Sequence, residues 1–245
     1  MTGSLVTTAR VAAFSNAREI VPPVRRGLVG WYNLQGAQDL ALRNLAPAGV
    51  GKSATLFGTP TFTGSVMNSQ SGVSGIETEH LETNEFTWLW AGYTLDTLVD
   101  VAHQPLVMGT FSGSSGASIH FINHSSSPAP AARLRMNAYD DSNTTATANV
   151  VDVAIPHLYA ARVSNGQIIV NDLTAGIESA PVAFNASRVV TTRKIRMGSA
   201  YSATFAGTVV SLFGAVYQNV VLTSTELATL YPFIKAEMAD HSLTI

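Results

Sequence analysis

Three carboxylates and a histidine crowd the segment Glu77-Thr78-Glu79-His80-Leu81-Glu82. Acids at the first, third and sixth places of an extended segment could supply the carboxyl pair that acid/base chemistry uses. A retaining mechanism needs two carboxyl groups roughly 5–5.5 Å apart, and strand spacing can supply that. The competing reading is a solvated edge strand whose charges discourage pairing with other chains. The six histidines are His80, His103, His120, His124, His157 and His241. His120 and His124 lie four apart in a stretch that reads as strand and then loop, on one strand face with no acid nearby. Solvent-facing loop histidines are the expectation there, and no metal site is assigned. Asp140-Asp141-Ser142-Asn143 has the oxygen atoms to hold calcium, yet the same four residues make a plain turn.

Other chemistry is excluded by pattern. Gly49-Val50-Gly51-Lys52-Ser53 contains Gly-Lys-Ser, but a phosphate loop needs a glycine at position 46, which is alanine here, and a preceding strand. No Gly-x-Ser-x-Gly elbow and no His-Glu-x-x-His pair occur, so no cofactor is expected. Sugar binding remains. Aromatic faces stack on pyranose rings, and Trp31, Trp88, Trp90 and Tyr93 are the candidate ligand-binding residues. Trp88 and Trp90 share a strand face, an arrangement that equally suits a core.

The chain of 245 residues is 46% hydrophobic but only 12% charged, about half the usual ~25%. Its surface must therefore be built from Ser, Thr, Asn, Gln and Gly. A net charge of −2 without a basic block gives no electrostatic footprint for nucleic acid. With no cysteine, disulfides, thiolate metal sites and cysteine nucleophiles are excluded. That absence leans towards a bacterial or bacteriophage source. Arg10 and Arg18 interrupt what would be the apolar core of a signal peptide. No apolar run approaches ~18 residues, so no membrane insertion is expected.

The elements that position these residues read as β-structure. Residues 1–26 form an arm: Leu5, Val6, Val11, Phe14, Ile20 and Val21 are apolar, and Pro22-Pro23 forces an extended connection. An arm too short for its own core buries such residues on its own domain or on another subunit, making them candidate assembly contacts. In Gly27–Leu34 alternation sets Leu28, Gly30 and Tyr32 on one face and Val29, Trp31 and Asn33 on the other. Residues 63–75 read as a Ser/Gly-rich loop, and Phe86–Leu95 as the clearest strand. Arg133–Tyr139 is expected to pair with Val150–Val153. Asn165-Gly166 supplies the turn of a hairpin over His157–Leu173. Val209–Val216 reads as a strand covered on both faces. Thr223 or Ser224, with Glu226, then caps a helix whose apolar face carries Leu227, Leu230, Phe233, Ile234 and Met238, with Pro232 bending it.

The order of these pieces resembles concanavalin A-like, laminin G-type jelly rolls. Phe205, Gly207, the following apolar strand, Tyr217, Gln218, Leu222, Thr223, Glu226 and Leu227 match the closing strand and trailing helix of that family. Gly27–Leu34 resembles its opening strand. Thr55, Leu56, Gly58, Pro60 and Phe62 match a second motif, and the His157–Leu173 hairpin a third, with Asn171 near the usual acidic position. The resemblance spans about Gly27 to Tyr231. It implies an all-β, two-sheet antiparallel jelly-roll sandwich over residues 27–245, with an arm over 1–26 and a short C-terminal helix.

Two functions follow from the resemblance as expectations. One is a non-catalytic structural component of a bacteriophage virion: a tail fibre, tail tip or capsid decoration. Such a part would assemble as a homotrimer with other virion proteins and touch host glycans. The alternative is a carbohydrate-binding module or a jelly-roll glycan hydrolase. By similarity to laminarinase-type jelly rolls, Glu77 would then be nucleophile, Glu79 its helper and Glu82 the acid/base. The middle acid, however, is Glu where those enzymes carry Asp.

Overall fold

The computed structural model describes residues 20–49, 52–64, 66–123, 132–139, 143–150, 152–164, 166–240 and 242–245. The described strands of the first half are β1 (Leu28–Asn33), β2 (Thr55–Phe57), β3 (Thr61–Thr63), β4 (Val66–Gln70), β5 (Gly75–Leu81), β6 (Phe86–Tyr93), β7 (Leu106–Gly109) and β8 (Ala117–Asn123). Those of the second half are β9 (Ala132–Tyr139), β10 (Asn143–Val150), β11 (His157–Val163), β12 (Gln167–Asp172), β13 (Ile177–Glu178), β14 (Val182–Ala183), β15 (Lys194–Met197) and β16 (Thr208–Gln218). Two α-helices, α1 (Gln38–Ala41) and α2 (Ser224–Asp240), and two short 3-10 turns, Pro47–Gly49 and Val101–His103, complete the described elements.

The strands form two antiparallel sheets, a jelly-roll sandwich. One runs β13-β12-β11-β6-β16-β4-β3, with β1 also on β16 and β14 on β12; the other runs β10-β9-β8-β7-β15-β5-β2. β16 is the hinge of the larger sheet. One edge of it pairs with β6, the other with β4 over Thr208–Ser211 and then with β1 over Phe213–Tyr217. Val209 through Tyr217 are all buried, as a run of apolar residues without polar alternation requires.

Both faces of this sheet are covered. Towards the second sheet lie Phe86, Trp88, Trp90, Tyr159 and Val216. On the opposite face Trp31, Leu89, Phe213 and Ala215 pack under α2 through Leu227, Leu230, Ile234 and Met238. The start of α2 is a reciprocal capping box: the Thr223 amide donates to Glu226 Oε2 (2.8 Å) and the Glu226 amide to Thr223 Oγ1 (3.2 Å). Arg26 grips the same carboxylate with Nε at 2.5 Å and a terminal nitrogen at 2.6 Å, and this guanidinium holds Glu226 down at about 2.

Several expectations need correction. A bulge between Leu28 and Gly30 shifts the register of β1, so Leu28 and Trp31 share the helix side while Tyr32 faces the second sheet. β9 pairs with β10 from Val150↔Ala132 to Asn143↔Tyr139, not with Val150–Val153. Part of the stretch read as a loop is β4, whose Met67 and Ser69 point inward. Residues 20–26 pack on their own domain: the Ile20 amide donates to the Leu45 carbonyl, and Val24 is buried. Val21 is exposed. Leu5, Val6, Val11 and Phe14 lie outside the described residues.

The free edge of β1 is closed by the Leu45 amide, which donates to the Trp31 carbonyl, and by one side chain. Asn44 Oδ1 accepts from the Trp31 amide (3.0 Å) and its Nδ2 donates to the Val29 carbonyl (2.8 Å), so a side chain stands in for a neighbouring strand. The same Oδ1 accepts from the Ala46 amide, and Nδ2 reaches His80 Nε2 on β5 at 3.1 Å. Burial, helped by Lys52, pushes His80 down to about 4, so its ring is neutral and Nε2 can accept. Replacing Asn44 with Ala leaves the amides of Trp31 and Ala46 without this acceptor. The loss should be about 3 kcal/mol at ~1–3 kcal/mol per buried unmade bond. Urea unfolding measures it, and a loss below about 1 kcal/mol would reject this role for Asn44.

A second buried polar group sits under α2. Glu237 Oε2, Trp31 Nε1 and Asn33 Oδ1 are shielded from solvent without a partner at full hydrogen-bond geometry. Burial pushes the Glu237 carboxyl up to about 8 and Asp240 adds to the rise, while Asn33 and Trp31 offset only part. A carboxyl raised from 4.5 to about 8 contributes stability that is full below 4.5 and is lost as pH rises through about 8. Melting curves at pH 5 and pH 9 should therefore show Glu237→Gln losing less stability on alkalinisation than the parent chain. Equal losses would contradict the assignment.

Candidate functional site

The acids of β5 do not converge. Strand alternation turns Glu77 and Glu79 outward and Thr78 and His80 inward. Glu77 Oε2 takes Arg196 Nε (3.0 Å) and the Tyr201 hydroxyl (2.8 Å), with the Arg196 guanidinium held between the rings of Phe57 and Tyr201. Glu79 pairs with Lys194 at 2.9 Å. Glu82 is turned the other way and sealed, bonded to Arg188 and to the Thr110 hydroxyl, and burial pushes its pKa up against the pull of Arg188. Each carboxylate has its own cation, and no two share a partner in this set. β5 is also not a bare edge, because β2 covers its first half from Thr55↔Glu77 to Phe57↔Gly75.

Three histidines are placed by packing, while His103 is exposed and pairs with Asp100 at 2.7 Å. His80, His120 and His157 are buried, which corrects the solvent-facing expectation for His120; His124 lies outside the described residues. His157 Nδ1 meets Asp172 Oδ2 at 2.8 Å. The neighbouring Asn171 side chain joins Arg162 and Glu178. Among the described residues no three His, Asp or Glu side chains gather where an ion could sit.

Trp31, Trp88 and Trp90 are core residues with no exposed surface. Trp88 stacks on Phe86 at 4.0 Å, Trp90 on Tyr159 at 5.8 Å, and Trp31 meets Phe213 edge-on at 4.7 Å. Their faces are taken by neighbours, so they cannot stack on a sugar ring. Tyr93 differs. It is half-buried at the end of β6 on the helix side, directly across from Val210.

Tyr93 begins a row across the larger sheet: Tyr93, Val210 on β16, Asn68 on β4 and Thr61 on β3 stand opposite one another in register. Beside that row runs an open groove of about 340 Å³. Its walls mix hydroxyls and amides, among them Thr59, Thr61, Asn68, Gln70 and Thr208, with apolar surface from Val209, Val210 and Leu95, the last 71% exposed. None of the lining residues is charged. Internal bonds fix the lining. Asn68 Nδ2 donates to Thr63 Oγ1 (2.8 Å), Gln70 Nε2 to the Ala206 carbonyl (3.0 Å), and Thr208 gives both its amide and its hydroxyl to Asp96 Oδ2. The signal for this site in the sequence was the alternation Val66-Met67-Asn68-Ser69-Gln70, which puts two amides on one strand face.

No protein-family model matches the chain, and no curated protein does. Solved structures do. The binding domain of botulinum neurotoxin DC in complex with SialylT superposes with a TM-score of 0.58 at 9% identity, covering 85% of this chain and 52% of that one. A botulinum neurotoxin type C structure, from a study of cell entry through two ganglioside molecules, gives 0.60 at 9% identity, covering 85% and 51%. The binding domain of Paraclostridial Mosquitocidal Protein 1 gives 0.53 at 10% identity, covering 84% and 52%. At such identities the likeness is one of fold, the two-sheet jelly-roll sandwich. The chain spans about half the length of each of these structures. No helix of the described residues is long and apolar enough to cross a membrane.

Proposed function

We propose that this chain is a non-catalytic jelly-roll module that binds a saccharide in the groove beside Asn68 and Gln70. The groove itself carries the reading: it is open and uncharged, and it sets amide and hydroxyl side chains beside the apolar surface of Leu95, Val209 and Val210, a mixture that suits the hydroxyls and C–H faces of a sugar. That two of the superposed neurotoxin structures are named for SialylT and for gangliosides supports a glycan as the class of ligand, not the groove as its place. Against catalysis stands the separate neutralisation of Glu77, Glu79 and Glu82 by Arg196, Lys194 and Arg188. A carboxyl pair at work needs one member free to ionise and the other to hold a proton beside the same bond.

The test is a printed glycan array probed with the labelled chain and with the double variant Asn68→Ala, Gln70→Ala. Binding by the parent and a loss of about tenfold or more in the variant are expected. Glycan binding that survives both substitutions places the site elsewhere and rejects the groove.

The module is proposed to serve as a displayed part of a bacteriophage particle. A chain with only 12% charged residues suits a protein covered in part by neighbours. In that setting the arm makes the assembly contacts. Residues 20–26 already pack on their own domain, so the shortening that isolates the arm begins the chain at Ile20 rather than Gly27. Light scattering should give an oligomer for the full chain and a monomer for the chain from Ile20. Equal masses would reject assembly by the arm.

A further inference from the structure

We infer that the arm of one copy docks on an apolar, acid-rimmed end of the next, over Val99, Val101 and Ile155; this rests on the reading of the arm as an assembly contact and names the surface that receives it. Two loops build that end of the sandwich. Residues 94–105 follow β6 and residues 152–156 precede β11, and the Thr94 amide donates to the Val153 carbonyl at 2.8 Å, setting the loops side by side. Val99, Val101 and Ile155 stand exposed on them. The first loop is held from behind. Thr94 Oγ1 donates to the Thr208 carbonyl at 2.7 Å, and Asp96 takes the Thr208 amide and hydroxyl. Gly207 lies so close that a methyl group there would meet the His103 carbonyl oxygen at 2.8 Å. Apolar side chains held out on a fixed backbone can be covered by another chain at low ordering cost.

Charge says which chain fits. The two loops carry Asp96, Asp100 and Asp152 and no lysine or arginine. Asp100 sits between Val99 and Val101; its Oδ1 takes the His103 amide and ring nitrogen, and Oδ2 has no bond among the described residues. A complementary partner is apolar and basic, and this sequence contains one. Residues 1–19 carry Leu5, Val6, Val11 and Phe14 around Arg10, then Arg18, with Glu19 as the only acid. Arg10 can meet Asp100 while its apolar neighbours cover the valines. Such a length of chain reaches at most roughly 65 Å beyond Ile20, enough to cross to an adjoining copy. A contact of arm to loop end is heterologous, and it closes into a ring, such as a trimer, or runs on as a filament.

The experiment is light scattering over a concentration series on full-length chains. The parent should be an oligomer, and Val99→Lys with Ile155→Lys, at two exposed side chains, a monomer. Asp100→Arg and Arg10→Asp should each weaken association about tenfold, and the two together should recover most of that loss, which a merely damaged loop would not. The Val99→Lys, Ile155→Lys chain keeps its arm, and a Val11→Asp, Phe14→Asp chain keeps its loops. Mixed in equal amounts they should form one-to-one pairs, although neither assembles alone. An oligomer unmoved by Val99→Lys and Ile155→Lys, or a charge swap that restores nothing, would overturn this docking surface and leave assembly by the arm standing. A monomeric parent chain would overturn both.

Discussion

The larger sheet is buried on both faces, and most of the structure follows from that constraint. A strand such as β16, apolar on each side from Val209 to Tyr217, cannot end at a water-facing surface. The second sheet covers one face, where its Phe121 meets Trp90, and α2 covers the other against Trp31 and Phe213. Everything that fastens α2 therefore maintains the sandwich: the Thr223–Glu226 box, the Arg26 clamp on that box, and Leu227, Leu230, Ile234 and Met238 beneath it. Asn44 serves the same end at the open side of β1, where no strand is available to close the ladder.

The groove is what this covering leaves over. Where β16 leaves β1 for β4, the outward positions change from Phe213 and Ala215 to Val210 and Thr208, and their neighbours on β4 are Asn68 and Gln70. Apolar packing gives way to amides and hydroxyls within one strand. A polar surface next to a fully packed one is held rigidly, which lowers the ordering cost of binding a flexible sugar. Rigidity here comes from the sheet and from internal bonds such as Gln70 to Ala206 and Thr208 to Asp96.

Much of the fold was legible in the sequence, because burial and capping write themselves into residue type. The two-faced strand, the Thr223–Glu226 cap and the apolar stripe of α2 stand where periodicity put them. The site was harder to read. Aromatic residues signal both sugar stacking and cores, and Trp31, Trp88 and Trp90 proved to be cores because the larger sheet has two faces to fill. Acid spacing at Glu77, Glu79 and Glu82 said nothing of the cations that meet them, since Arg188, Lys194 and Arg196 arrive from more than a hundred residues away. Asn68 and Gln70 were hidden in a Ser/Gly-rich stretch whose composition resembles a loop. The bulge in β1 was equally silent, since one extra residue changes register without changing composition.

The most direct measurement is an amide-shift map of the isotope-labelled chain titrated with pooled neutral and sialylated oligosaccharides. The account predicts saturable shifts gathered at Thr61, Asn68, Gln70, Leu95 and Thr208, with the core around Trp88 and Trp90 unmoved. Saturable shifts elsewhere on the molecule, or none up to about 10 mM sugar, beyond the weakest useful affinities, would contradict it.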